Sequence, residues 1–431
     1  MSTSAGDSRL QNLLGAAEQA DLQGRRDEAA RLLSEARAIA PGNAAVLNAC
    51  GVHALRKGDA SEAKVLLERA IAANPGSPSL HINLATCLRT LDDAEGESKA
   101  LERALTLNPY FFEALMQRAS LFERMGKTRQ AARAYHRALC SLRPDTSLPP
   151  SFQPLMEHAR RLIQTSLQEL DACLQERMRD VRARHSSASQ ERVDDCLGAL
   201  LGKNRIYVQQ PMLVHFPRLP AIQFYDREQF TWLRQVEQAT DDIRAELLGL
   251  LKDVRTSFVP YIDYPDDEPL NQWRELNRSP RWSALFLFKN GKRQDAVADR
   301  CPRTLAALEG APVVAIPEAG PTSFFSLLEP HTRIPAHTGG TNTRVIVHLP
   351  LIVPPKCGFR VGTQIREWQP GTALIFDDTI EHEAWNESDE ERVILIFDIW
   401  NPLLTPAERD LMTAATAAMA DFYEDAAGLG S

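Results

Sequence analysis

Four of the chain's ten histidines, His331, His337, His348 and His382, fall within residues 331–382. Any one alone reads as an ordinary satisfied or surface histidine. As a group they read differently, because imidazoles at the ends of β-strands in a small barrel are a common way to hold a divalent transition metal. His337 opens the polar, glycine-rich stretch His337-Thr338-Gly339-Gly340-Thr341-Asn342, and His382 follows the apolar segment 372–377 and its Asp377-Asp378 turn. Arg392 comes ten residues later. Strand alternation there puts Arg392, Ile394, Ile396 and Asp398 on one face and Val393, Leu395, Phe397 and Ile399 on the other. A guanidinium in so apolar a strand needs an anion to pair with. Two histidines and a strand arginine therefore suggest a metal with a carboxylate-bearing cosubstrate.

The elements that must carry these residues begin near residue 206. Short β-branched and aromatic runs predict strands at 282–288, 312–316, 322–328, 343–351, 358–362, 372–377 and 391–399, with helices at 227–254 and 302–309. Many short strands separated by Gly, Pro and Asn turns indicate a sandwich or barrel rather than a βαβ sheet, and there is no Gly-rich phosphate loop. On 343–351, alternation places Arg344, Ile346 and His348 on one face.

The first third is a repeat of period 34. Pro41, Pro75 and Pro109 keep that spacing and Pro144 follows one residue late; Ala36, Ala70, Ala104 and Ala138 keep it throughout. So do Gly24, Gly58, Asp92 and Gly126, and Ala17, Gly51, Ala85 and Ala119. Small residues mark close helix approach, the Gly or Asp opens a turn, and Pro ends the second helix. The pattern resembles the tetratricopeptide repeat, in four copies over about residues 10–144, with Glu97 departing from an expected Ala. Such an array offers a concave groove for a protein or peptide partner. Residues 153–184 then predict one amphipathic helix, with a shorter helix near 190–202.

The spans HTGGTNTRVIVHLPLIVP, GTALIFDDTIEHEAWNES and RVILIFDIWNPLLTPAER resemble the aspartyl/asparaginyl β-hydroxylase family over about residues 206–410. The resemblance implies a double-stranded β-helix (jelly-roll, cupin-like) domain using iron(II), 2-oxoglutarate and O2. By that resemblance His337 and His382 are the iron ligands, Ser326 and Arg392 hold the distal carboxylate of 2-oxoglutarate, and His348 lies near its chelating end. Asp378 matches an aspartate near the iron water and orients it, ahead of Glu381 and Glu383. Most related oxygenases place an acid two residues after the first histidine; that slot is Gly339 here, as in the hydroxylase family. One departure is Ile346, which stands where the family has an arginine, with Arg344 two residues away as the available substitute.

The expected organisation is multidomain α + β: a tetratricopeptide solenoid at 1–145, a helical linker at 146–205, and the β-hydroxylase-like domain with a C-terminal helix at 206–431. The helix after Pro406 is expected to bury Leu411, Met412, Ala415, Met419 and Phe422. A net charge of −8 argues against a nucleic-acid clamp. No stretch is apolar enough to span a bilayer, the N-terminus lacks a secretory pattern, and seven scattered cysteines show no C-x-x-C, so a cytoplasmic protein is expected. The expected reaction is hydroxylation of an Asp or Asn side chain in a protein recruited by the repeats. The alternatives are the same chemistry on a lipid or small molecule, and an inactive adaptor, which only Ile346 favours.

Overall fold

The computed structural model describes residues 3–143, 146, 148–186, 189–253, 257–316 and 319–423. They divide between two compact units, Met1–Ser189 and Gln190–Ser431.

The first unit is helical. Its helices pair as Thr3–Leu22 with Arg26–Ile39, Ala44–Lys57 with Ala60–Ala73, Pro78–Thr90 with Ala94–Leu107, and Phe112–Arg124 with Thr128–Cys140. The 34-residue registers explain these pairs. Ala36, Ala70, Ala104 and Ala138 are fully buried, where a larger side chain would push the helices apart. Gly24, Gly58, Asp92 and Gly126 all take positive φ, at 74°, 92°, 59° and 72°, in the turn within each pair. A Cβ at Gly58 would meet nothing within 4 Å, so only backbone strain opposes a side chain there. Gly58→Val is therefore expected to lower stability by about 1–2 kcal/mol, read from urea unfolding. Glu97 occupies the register of the fully buried Ala29, Ala63 and Ala131, and its buried carboxylate pairs with Arg124. Pro144 lies outside the described residues. The helix Gln153–Arg184 packs its first turns on Thr128–Cys140, burying Met156 and Ala159.

The second unit holds the strands β1 (Val259–Pro260), β2 (Trp282–Lys289), β3 (Lys292–Arg293), β4 (Ser323–Leu328), β5 (Thr332–His337) and β6 (Arg344–Ile352). The rest are β7 (Cys357–Val361), β8 (Gln364–Arg366), β9 (Leu374–Phe376), β10 (His382–Asn386) and β11 (Arg392–Trp400). They form two antiparallel sheets, β1-β2-β4-β11-β6-β9 with β3 on β2, and β5-β10-β7-β8. From β4 onward the chain passes repeatedly between the sheets, which is the double-stranded β-helix. The expected alternation holds. Val393, Leu395, Phe397 and Ile399 join Val345, Val347 and Leu349 in a core shared with the helices Leu233–Gln238, Thr240–Asp253 and Pro302–Leu308. Ile394 and the half-buried Ile346 and Ile396 face the other way, toward Ile334, Phe359, Val361 and Ala384 of the smaller sheet.

Four local expectations differ from the structure. Segment 312–316 is not a strand: Pro312 has no N–H to donate, and the chain closes on itself through Ile316 and Gly320, leaving only isolated bridges. The expected helix at 227–254 is a short turn followed by two helices. The break comes where the Thr240 hydroxyl donates to the Glu237 carbonyl, and Val254 lies outside the described residues. The C-terminal helix Pro406–Tyr423 leaves Leu411 and Phe422 exposed, and it packs through Met412 on Val314, Ile316 and Trp400. Finally, none of the expected strands covers Thr332–His337 or His382–Asn386, where β5 and β10 lie.

Candidate active site

His337 ends β5 and His382 begins β10, directly opposite each other in the antiparallel register. Their ring centroids are 4.1 Å apart. A bulge follows immediately, Pro335 and Ala336 of β5 standing against Glu383 alone of β10. Pro335 lies within it, where its missing N–H is no loss to the ladder and the local twist re-aims the neighbouring side chain. The Pro335 carbonyl accepts from His337 Nδ1 at 2.8 Å, and the Ile380 carbonyl accepts from His382 Nδ1 at 3.1 Å. A carbonyl can only accept, so both Nδ1 atoms carry the hydrogen and both Nε2 atoms keep the lone pair. Burial also disfavours the charged ring, moving His337 down to about 4 and His382 well below its ordinary value. Both imidazoles are thus neutral with a free electron pair at neutral pH, the state a transition metal requires.

Gly339 and Asp378 meet beside this pair. The Gly339 N–H donates to the Asp378 carbonyl at 2.7 Å. A Cβ on Gly339 would fall 2.0 Å from Asp378 Oδ2 and 2.3 Å from its Cγ. The Asp378 carboxylate therefore fills the space that a side chain two residues after His337 would claim. Its neighbour Asp377 holds the turn, accepting from the Thr379 N–H at 3.0 Å. Burial, opposed by the Arg344 guanidinium, pushes the Asp378 carboxyl up to about 7. Gly339→Ala is expected to displace Asp378 and lower stability by about 1–3 kcal/mol. Adding Asp378→Gly should recover most of that loss in a double-mutant cycle, whereas additive losses would show the two sites to be independent.

Arg392 is 1% exposed on β11, where its register neighbour Leu328 and nearby Ser326 belong to β4. Its Nη1 donates weakly to the carbonyl and hydroxyl oxygens of Ser326, both at 3.4 Å, and the guanidinium carbon lies 4.8 Å from the Trp368 ring. Among the described residues no carboxylate pairs with it, and Nε has no hydrogen-bond partner. Burial lowers its pKa to about 10, which still leaves it charged. His348 stands between, 4.7 Å from Phe376 and 5.0 Å from Phe359; those rings lie 5.5 and 6.1 Å from His382. These rings form an aromatic row with the paired histidines at one end and a guanidinium without a carboxylate partner at the other.

Not every candidate converges there. Arg344 is tied to Asp398 at 3.2 Å, both buried, with the Asp378 charge also acting on it. Its partner Asp398 shares the Arg392 face, so alternation carried that signal. Glu381 and Glu383 are engaged by Arg360 on the smaller sheet. His331 sits on the surface beside Asp389, outside the site. Two aromatics escaped the sequence reading: Trp368, and Trp273, whose ring lies 4.9 Å from that of His337. Neither lies in a periodic segment.

Fold and side chains together define a double-stranded β-helix protein with two opposed, buried histidines. Comparison with known proteins narrows this: residues 237–402 match the family described as aspartyl/asparaginyl beta-hydroxylase, and residues 54–96 match tetratricopeptide repeat. The chain carries an aspartyl/asparaginyl β-hydroxylase domain together with tetratricopeptide repeats. It is 38% identical over 187 residues to the ornithine lipid ester-linked acyl 2-hydroxylase of Rhizobium tropici, covering 42% of this chain and 62% of that protein. It is 32% identical over 183 residues to the aspartyl/asparaginyl beta-hydroxylase of Homo sapiens, covering 42% and 23%. The chain thus spans less than two thirds of either relative. A solved structure of a thermophilic TPR protein from Thermus thermophilus is 20% identical with TM-score 0.32, covering 41% of this chain and 97% of that one. Among the described residues no helix is long and apolar enough to cross a membrane.

Proposed function

We propose that this chain is an iron(II)- and 2-oxoglutarate-dependent hydroxylase. The observation that carries the reading is the pairing of two neutral, opposed imidazoles with a fully buried guanidinium that lacks a carboxylate. The donor set fits the absent groups: two nitrogens of intermediate softness suit ferrous iron, and Arg392 suits a carboxylate. Among the described residues no three His, Cys, Asp or Glu side chains form a metal cluster, so protein ligation would rest on His337 and His382. When bound, the metal and oxoacid would supply the O2 activation needed to oxidise an unactivated C–H bond.

The chain's own residues do the rest. Pro335 and Ile380 fix the imidazole tautomers through their carbonyls. Arg392 and Ser326 would hold the far carboxylate, His348 would face the nearer end, and Asp378 would orient water beside the metal. The aromatic walls exclude bulk water from the reacting carbon.

Because the histidines are already deprotonated, metal uptake displaces no proton from them at neutral pH. In Asp378→Asn, where the neighbouring carboxyl that sits near 7 no longer titrates, affinity for Mn(II) is expected to change by less than about twofold between pH 8 and pH 6 and to fall only toward pH 4. A pair of imidazoles with pKa near 6.5 would lose about fifteenfold over that first interval. Calorimetric titration at the two pH values checks this.

The substrate proposed first is an Asp or Asn side chain of a protein brought by the repeats, in what we take to be a cytoplasmic setting. A lipid acyl chain is the second reading, and one observation favours it. Ile346 puts an apolar side chain in the row of β6 that faces the smaller sheet, beside His348, and a relative at 38% identity is described as an acyl 2-hydroxylase. Oxygen-dependent succinate formation should be stimulated by an Asp- or Asn-containing peptide under the first reading and by an acyl lipid under the second.

A further inference from the structure

Two buried nitrogens at the guanidinium end have no hydrogen-bond partner, Arg392 Nε and Trp368 Nε1, and His348 Nδ1 next to them has none either. Their side chains are neighbours. The Trp368 ring lies 4.8 Å from the Arg392 guanidinium carbon and 6.0 Å from the His348 ring, and it stacks on Phe359 at 5.4 Å and 13°. Trp368 is 4% exposed, and its N–H is shielded from bulk solvent. A buried indole N–H normally finds an acceptor, and a buried guanidinium normally finds an anion. Where both are orphaned against each other, one carboxylate, with about four lone-pair positions, can answer both.

We propose that Trp368 is a binding and length-selecting residue for the oxoacid, its N–H joining Arg392 on the far carboxylate while its ring closes that end of the site. This rests on the oxoacid reading above. The selectivity follows from packing. A ring in contact with both Phe359 and Arg392 has no room to retreat, so the site admits a fixed number of methylenes between the histidine end and the guanidinium. One methylene too many in such a site is penalised by about 10- to 200-fold.

The test is calorimetric titration of wild type, Trp368→Phe and Trp368→Ala with 2-oxoglutarate and with the six-carbon 2-oxoadipate, under nitrogen with Mn(II) present, with a thermal melt of each. Wild type is expected to prefer 2-oxoglutarate. Trp368→Phe keeps an aromatic ring over Arg392 but lacks the N–H, so it should bind 2-oxoglutarate about tenfold more weakly without gaining 2-oxoadipate. Trp368→Ala opens the end wall and should shift the ratio of the two dissociation constants toward 2-oxoadipate by about tenfold or more. Unchanged binding in Trp368→Phe would overturn the assignment alone, as would an equal loss of both oxoacids in Trp368→Ala. Wild type binding neither oxoacid would overturn the oxygenase reading and this inference with it.

Discussion

His382→Ala is expected to reduce turnover by about a thousandfold or more and to abolish the thermal stabilisation that Mn(II) gives the wild-type protein. The size follows from the ligand count. Where protein ligation rests on two imidazoles, losing one removes half of it, and the Asp378 carboxylate beside Gly339 already has its own place. His337→Ala should behave alike, and the double variant should be little worse than either single one, because the residues act as a unit. Activity within tenfold of wild type in either single variant would show that the metal is held elsewhere.

Arg392→Met is expected to raise the 2-oxoglutarate concentration giving half-maximal turnover by about a hundredfold, the usual worth of a buried charge-assisted pair. Its second effect has the opposite sign. A guanidinium that is 1% exposed and lacks a carboxylate is a cost to the ligand-free fold, so a methionine of similar length should stabilise that fold by about 1–2 kcal/mol. Steady-state kinetics and a urea melt on the same preparation read both. Loss of stability together with loss of function would mean that Arg392 serves the fold and not a ligand.

The repeat unit was legible because each of its steps is a backbone requirement. A small residue where helices touch and a positive φ between them leave few choices, and even Asp92 obeys the second rule with φ 59°. The long strands β6 and β11 were legible from their alternation, and β2 from its apolar, aromatic run. The strands that carry the metal-type histidines were not. Pro335 argues against a strand in Thr332–His337, and it sits in the bulge next to the opposed His337–His382 pair. Residues 382–386, HEAWN, are too short and polar to announce a strand without the partners on both sides. Their pairing is tertiary, and so is the meeting of Gly339 with Asp378 across the turn. Trp368 lies between β8 and the Gln369–Thr372 turn, outside any regular element, and the role proposed for it arises from Phe359 and Arg392, both outside its own segment. The resemblance to hydroxylases supplied the histidine pair, while geometry supplied the reason for it: opposed register, carbonyl-fixed tautomers and burial.

We propose that His337 and His382 hold ferrous iron while Arg392 secures an oxoacid beside it. Anaerobic titration with iron(II) and 2-oxoglutarate, followed in the visible spectrum, tests it most directly. The expected result is a weak charge-transfer band that saturates near one equivalent of metal, is absent in His382→Ala, and needs far more 2-oxoglutarate in Arg392→Met. A wild-type protein that gives no band at saturating iron and oxoacid would contradict the claim.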